Sequence, residues 1–222
     1  MNYHDWGLID YNEAWKKQEK LFFEAIDRKQ QNLSTENQLI FCEHPHIYTL
    51  GKSGKEQNLL LDLIQLQAKN VDFIHTNRGG DITYHGPGQL VGYPIFDLEF
   101  FSVGLKQYIY MIEESIIQLL KDYHIIASRL NGATGIWIDA GTKQVRKICA
   151  IGVRSSRFVT MHGFALNVNT DLEYFDYINP CGFIDKGVTS MQKELGHKID
   201  FDELKFHLRR KISLNFKEKH VE

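Results

Sequence analysis

GIWIDAGTKQVRKICAIGV, residues 135–153, is the stretch on which the fold turns. Ile136, Trp137 and Ile138 form an apolar run, residues 140–144 a polar turn holding Gly141, and residues 145–153 a second apolar-rich run. That pattern predicts a β-hairpin. Just upstream, Leu105, Tyr108, Ile109, Ile112, Ile116, Leu119, Leu120 and Tyr123 recur at helical spacing, with Gln107, Glu113, Glu114, Gln118 and Lys121 on the other side. They predict an amphipathic helix of about five turns. Downstream, residues 158–168 read as a strand, and Leu204, Leu208 and Ile212 mark a last helix with a basic outer face. Toward the N-terminus, Asp10 followed by Glu13 predicts a helix start. Trp15, Phe22, Ala25 and Ile26 share one face of that helix, which runs to about Lys29. Residues 39–42 read as a buried strand, 48–58 as a loop, 59–68 as either helix or strand, and 71–75 as a strand. Helices and strands alternate irregularly around the hairpin. The expectation is an α+β fold, a mixed or antiparallel sheet packed with helices, rather than a doubly wound parallel sheet.

The 222 residues are 43% hydrophobic and include 14 Phe and 10 Tyr, enough apolar surface to exclude global disorder. They are expected to form one domain, residues 1–222. A net charge of −2 argues against a nucleic-acid partner. Cys42, Cys149 and Cys181 form no CxxC pair, which excludes a disulfide framework and a Cys-rich zinc site. Reduced thiols and the lack of a signal-peptide pattern at the N-terminus imply a cytoplasmic protein. The longest apolar stretches, such as residues 59–66 and 115–120, fall short of the ~20 residues of a membrane helix, so no membrane partner is expected.

Three stretches carry possible chemistry. RGGDITYHGPGQ, residues 78–89, has four glycines and a proline, a backbone able to approach a ligand and present N–H groups to it. Arg78 adds charge, and Thr83, Tyr84 and His85 add donors and acceptors. A plain glycine-rich hairpin loop fits the stretch equally well. In VRKICAIGV, residues 145–153, strand alternation puts Lys147 and Cys149 on one face and Ile148 and Ala150 on the other. A lysine among apolar residues needs a partner or must snorkel to the sheet edge. In INPCGF, residues 178–183, Cys181 lies between Pro and Gly, a turn setting that gives a thiol access to solvent. His44, His46, His85 and His162 lack the regular spacing of a zinc site, and no metal is expected.

Together these motifs resemble one family. RGGDITYHGPGQLVGYPIFDL (residues 78–98), KICAIGVRSSRFVTMHGFALNVN (147–169), FDYINPCGF (175–183), GVTSM (187–191) and EHPHIYTLGK (43–52) resemble the lipoyl(octanoyl) transferases of lipoate biosynthesis, in the same order. The resemblance implies a fold shared with biotin and lipoate protein ligases. It implies transfer of an octanoyl group from octanoyl-acyl carrier protein to a lysine of a lipoyl domain, such as those of 2-oxoacid dehydrogenase E2 subunits and the glycine cleavage H protein. Cys181 would be the acyl-accepting nucleophile and Lys147 its activator. Arg78, Gly79, Gly80, Asp81, Ile82, Thr83, Tyr84, His85, Ala150, Ile151, Gly152, Gly163, Phe164 and Ala165 would line the acyl and thioester site. No cofactor is implied, because a thioester is already activated. An apolar tunnel between the sheet and the helix of residues 105–123 would measure the chain. Lys143, Arg146, Lys147, Arg154 and Arg157, with no acidic residue between them, would attract an acidic carrier. The alternatives are an ATP-dependent lipoate or biotin ligase, which has no need of Cys181, and a non-catalytic module that binds lipoyl domains or acyl carriers.

Overall fold

The computed structural model describes residues 1–179 and 186–217. Its main sheet is built from β1 (Asn2–Leu8), β2 (Gln38–Glu43), β6 (Gln89–Ile95), β10 (Val159–Asn167), β9 (Arg146–Ser156), β8 (Ala133–Ile138) and β7 (Ala127–Leu130), in that spatial order. A short β11 (Gly187–Val188) adds to β9 in parallel, and β1 is parallel to β2; the remaining pairs are antiparallel. A second sheet has β3 (Ile47–Leu50) at its centre, between β4 (Asp72–His75) and β5 (Ile82–His85).

Alternation along β2 shows how the sheet is covered. Leu39 and Phe41 join the core beneath α3 (Leu105–Asp122) and α5 (Phe201–Asn215), with Tyr108, Ile112, Ile116, Leu204 and Leu208. Ile40 and Cys42 point the other way, to Ala14, Phe22 and Ile26 of α1 (Tyr11–Gln30). The period of two therefore feeds two helical layers from one strand. Asp10 caps α1 by accepting from the Glu13 N–H at 3.0 Å, as the sequence spacing predicts. The small sheet has its own core of Tyr48, Leu50, Leu66, Val71, Ile82, Tyr84 and Ile178. The mixed, largely antiparallel sheet packed with helices is the α+β architecture expected.

Several local expectations are corrected. Residues 48–50 are strand, not loop: β3 is buried along its whole length, so it has no polar face to alternate with. Residues 59–68 resolve into the short helix α2 (Leu63–Ala68), started by a capping box between Asp62 and Gln65. The polar β1 carries little strand signal because most of its side chains face solvent.

Lys147 and Cys149 do not share a face. Cys149 pairs with Ile136 but Lys147 with Trp137, so Ile148 is an extra residue on β9, a β-bulge that breaks the alternation. Cys149 is fully buried in the main core. Nor is the basic run a continuous patch. Arg146 is paired with Asp139 and Glu194, and the Arg154 guanidinium lies 5.1 Å over the Phe22 ring.

Candidate active site

A cavity of about 560 Å³ opens where the small sheet meets β9 and β10. Two close backbone approaches hold the sheets together there. The Gly79 N–H donates to the Val153 carbonyl at 3.0 Å, and a Cβ on Gly152 would stand 2.7 Å from the Gly79 oxygen. Only glycine at position 152 lets the 78–81 loop lie this close to β9. Arg78, buried, shapes that loop from within. Its guanidinium donates to the Thr49 hydroxyl (3.0 and 3.2 Å) and to the carbonyls of Thr49 (2.6 Å), Gly79 (3.0 Å) and Asp81 (2.7 Å).

A defined hydrogen-bond chain continues inward. Thr49 accepts from Arg78, so its hydroxyl proton points to His85 Nε2 (3.4 Å). His85 Nδ1–H donates to Gln89 Oε1 (2.8 Å), and Gln89 Nε2 donates to Asn167 Oδ1 (2.9 Å). Asn167 Nδ2 then donates to the Thr189 carbonyl (3.0 Å), just past β11. The glycine loop is thus tied across the cavity floor to the segment that follows residues 180–185.

Three histidines around this floor are held neutral. Burial pulls His85 well below its ordinary value, reinforced by the Arg78 guanidinium and by the cost of charging it beside His44. Burial likewise pulls His44 to about 4 and His162 to about 3, the latter helped by Arg78 and Arg154. Each has a fixed tautomer. His44 donates from Nδ1 to the Ile9 carbonyl (2.8 Å) and accepts from the Tyr93 hydroxyl (2.6 Å), while His162 donates from Nε2 to Asn77 Oδ1 (2.6 Å). None of them takes up a proton near neutral pH. Among the described residues no His, Cys, Asp and Glu cluster could hold a metal ion.

Lys147, on β9, is among the titratable groups of this cavity. It is half-buried, lines the cavity, and carries its Nζ 4.6 Å from the centroid of the Trp137 ring. Its stem passes Gly135, which has φ +118 and whose N–H donates to the buried carboxylate of Glu113 at 3.1 Å. Opposite lie apolar groups from α3 and the sheet: Leu105, Ile109, Val91, Ile151 and Phe164.

The cavity brings together Arg78, Gly79, Gly80, Asp81, Ile82, Thr83, His85, Lys147, Ala150, Ile151, Gly152, Gly163, Phe164 and Ala165. Tyr84 is the exception. It is on the opposite face of β5 from Thr83 and His85, stacks on Tyr174 at 4.9 Å and bonds His46 Nδ1 through its hydroxyl at 2.7 Å. Cys181 lies outside the described residues. The two described cysteines are poor nucleophiles, since burial raises the thiols of both Cys42 and Cys149. The sequence reading missed Tyr11, Tyr93, Trp137, His162, Asn167 and Lys186, which also line the cavity. Tyr93, Trp137, His162 and Asn167 stood inside the quoted stretches, and His162 was weighed there only as a metal ligand. Tyr11 and Tyr93 look like ordinary core aromatics until the polar floor is assembled.

The fold is that of a class of protein ligases. The chain aligns with a bipartite lipoate protein ligase from Thermoplasma acidophilum, studied with its E2 lipoyl domain, at a TM-score of 0.71 and 16% identity, covering 100% of this chain and 87% of that one. It aligns with biotin protein ligase from Aquifex aeolicus at 0.52 and 15% identity, covering 97% and 68%. Sequence similarity is narrower and stronger. The family model for the lipoyl protein ligase A/B catalytic domain matches residues 10–213, and an octanoyltransferase of Bacteroides fragilis is 59% identical over 208 residues, 94% of either chain. The chain belongs to the lipoyl protein ligase A/B catalytic-domain family and, within it, to the octanoyltransferases. It is therefore an acyltransferase that works in protein lipoylation, which sets aside the non-catalytic binding module.

Proposed function

We propose that residues 1–222 act as one catalytic domain that takes an octanoyl group from octanoyl-acyl carrier protein, holds it as a thioester on Cys181 and delivers it to the lysine of a lipoyl domain. The observation that carries this reading is the cavity wall on both sides of the Cys181 segment: Phe175 before it, and Lys186, Gly187 and Val188 after it, line the same cavity as Lys147. Downstream, the Gly187 N–H bonds the Val145 carbonyl and the Thr189 N–H bonds that of Lys147, which fastens the returning chain beside this lysine. The acceptor class is supported by the lipoate ligase fold, whose Thermoplasma relative was studied with a lipoyl domain. A cytoplasmic setting suits a carrier-bound substrate and the free thiols of Cys42 and Cys149 among the described residues, none of whose helices is long and apolar enough to cross a membrane.

The chemistry runs in two halves. Cys181 thiolate attacks the octanoyl carbonyl carbon, and the bond to the carrier sulfur breaks as the Lys147 ammonium gives that sulfur its proton. In the second half the acceptor amine attacks the acyl-Cys181 carbonyl, Cys181 leaves as thiolate, and Lys147 takes the proton from the amine. Backbone N–H groups of the glycine-rich wall are suited to the oxyanion of both tetrahedral intermediates. One thioester replaces another, so no nucleotide is needed, in contrast to an ATP-dependent ligase of the same fold. Burial of seven carbons beyond the carbonyl contributes roughly 5 kcal/mol, enough for Leu105, Ile109 and Phe164 to grip the chain. The test is incubation with octanoyl-acyl carrier protein, without nucleotide, followed by intact mass and peptide mapping. An octanoyl mass on Cys181 is expected. Undiminished transfer by Cys181→Ser would overturn the covalent step.

A further inference from the structure

The cavity is too roomy to measure an acyl chain by fit. An octanoyl group has eight carbons, each close to the ~30 Å³ share of a water molecule, so it takes up roughly 240 Å³. That is less than half of the 560 Å³ or so on offer. A limit on chain length therefore has to come from something other than a wall.

The lining changes character along the strands. Val91 pairs with Ala165, and Ala165 with Ala150, an aliphatic strip across β6, β10 and β9. Two residues along β6, about 7 Å away, stands Tyr93, and the same step along β10 brings Gly163 with His162 beside it. At this end two buried side chains carry polar atoms without a protein partner. Tyr11 is only 2% exposed, and its ring lies against those of His44 (5.0 Å) and His85 (5.6 Å, stacked). Its hydroxyl makes no hydrogen bond among the described residues, and it is not sealed off among them either, so it opens on the cavity that Tyr11 lines. Burial pushes that hydroxyl up to about 12, so it keeps its proton and remains a donor. His162 gives its Nε2 proton to Asn77, which leaves Nδ1 as an acceptor with no partner. Its φ of +62 is left-handed backbone, uncommon for a residue other than glycine. Both groups feel the Arg78 guanidinium, which places them at one end. The Gln89–Asn167 side, by contrast, is saturated by its own hydrogen bonds.

We propose that the Tyr11 hydroxyl is a specificity-determining group that limits the length of the transferred acyl chain, by keeping the polar end of the cavity hydrated. The inference rests on the reading that the octanoyl group occupies this cavity. Water is the ordinary partner of such a hydroxyl, and removing it without replacing its bond is costly. An eight-carbon chain rests on the aliphatic lining and leaves that water in place. A longer chain pushes methylenes against the hydroxyl and strips it.

The experiment compares kcat/KM for octanoyl-, decanoyl- and ω-hydroxydecanoyl-acyl carrier protein, with a lipoyl domain as acceptor, in wild type and Tyr11→Phe. Phenylalanine keeps the ring and removes no hydrogen bond to the described residues, so the variant is expected to fold. Wild type should prefer octanoyl to decanoyl. In Tyr11→Phe the ratio of decanoyl to octanoyl kcat/KM should rise roughly 5- to 150-fold, the span set by stripping one buried hydroxyl. Another arm needs wild type alone. The ω-hydroxydecanoyl chain is longer than decanoyl, yet its terminal hydroxyl replaces the lost water, so wild type should take it better than decanoyl. A steric ruler would reject it more strongly. The inference is overturned if Tyr11→Phe leaves the ratio unchanged, if wild type takes decanoyl as readily as octanoyl, or if ω-hydroxydecanoyl is no better than decanoyl. Ala150→Leu, which fills the cavity from β9, tests the reading beneath it. Undiminished octanoyl transfer by this variant would mean that the chain lies elsewhere, and both readings would fall. Loss of transfer in a folded Ala150→Leu, with an unchanged ratio in Tyr11→Phe, refutes this inference alone.

Discussion

Acid should unfold this enzyme through its active-site floor. His44, His85 and His162 are buried and neutral, with values pulled below the ordinary 6.5, to about 4 for His44 and about 3 for His162. In the unfolded chain each binds a proton as pH falls through about 6.5, while the folded enzyme does not. The folded values are depressed, so the stabilisation is complete above about pH 6.5. It is lost as pH falls, until the folded groups protonate in turn. Each histidine costs about 1.4 kcal/mol per pH unit in that window. At pH 5 the loss is about 2 kcal/mol per residue and about 6 kcal/mol for the three, a large part of the 5–15 kcal/mol that holds a typical domain together. Carboxylates act lower. Glu194, drawn down by Arg146, and Glu114, drawn down by Arg129 against the upward pull of burial, lose their stabilisation only below about 4.5.

The assay is urea unfolding followed by tryptophan fluorescence at several pH values from about 7.5 to 5. The slope of stability against pH counts the protons taken up on unfolding and should approach three by about pH 5.5. His46, half-buried and also lowered by desolvation, adds a smaller fraction. His162→Gln keeps a donor for Asn77 and should lower the slope by close to one proton. A slope near zero between pH 7 and 5, or one indifferent to His162→Gln, would refute the neutral floor.

What the sequence made legible follows from where physical signals are local. The hairpin of β8 and β9, the amphipathic α3 and the cap at Asp10 each announce themselves within a window of a few residues. The glycine of the second motif was legible too, since the glycine at 152 is required by a backbone approach that a side chain would forbid. What stayed hidden depends on pairing. The bulge at Ile148, which sends Cys149 into the core and Lys147 into the cavity, appears only when β9 is laid against β8. Tyr84 reads as a site residue from its neighbours in the chain, yet the twofold period of β5 turns it to Tyr174. Within the basic run Arg146 is neutralised by Asp139 and Glu194, which lie outside the run in sequence. Tyr93 becomes a site residue only through His44 and the cavity it helps to close.

Two further outcomes test the geometry of the cavity. Gly152→Ala would place a methyl 2.7 Å from the Gly79 oxygen, so the loop must lift from β9 and surrender its bond to Val153. Transfer should fall about 100-fold, as expected for a misplacement near 1 Å, while the fold survives; unchanged transfer would mean that the loop does not position substrate. The other outcome concerns the charge at Lys147, which the Gly135 slot and the Trp137 ring hold in place. An ammonium beside a thiol lowers its pKa from the free value of about 8.5, so iodoacetamide should label Cys181 in wild type well below that pH. Lys147→Ala removes the charge, and the labelling profile should move up toward the free value. Lys147→Arg keeps the charge but cannot give up its proton at neutral pH, so the thiol should stay reactive while delivery to the acceptor lysine fails. Labelling and transfer would then separate in one variant and fall together in the other, which a merely structural lysine cannot produce. Three superimposable labelling profiles would remove Lys147 from the mechanism.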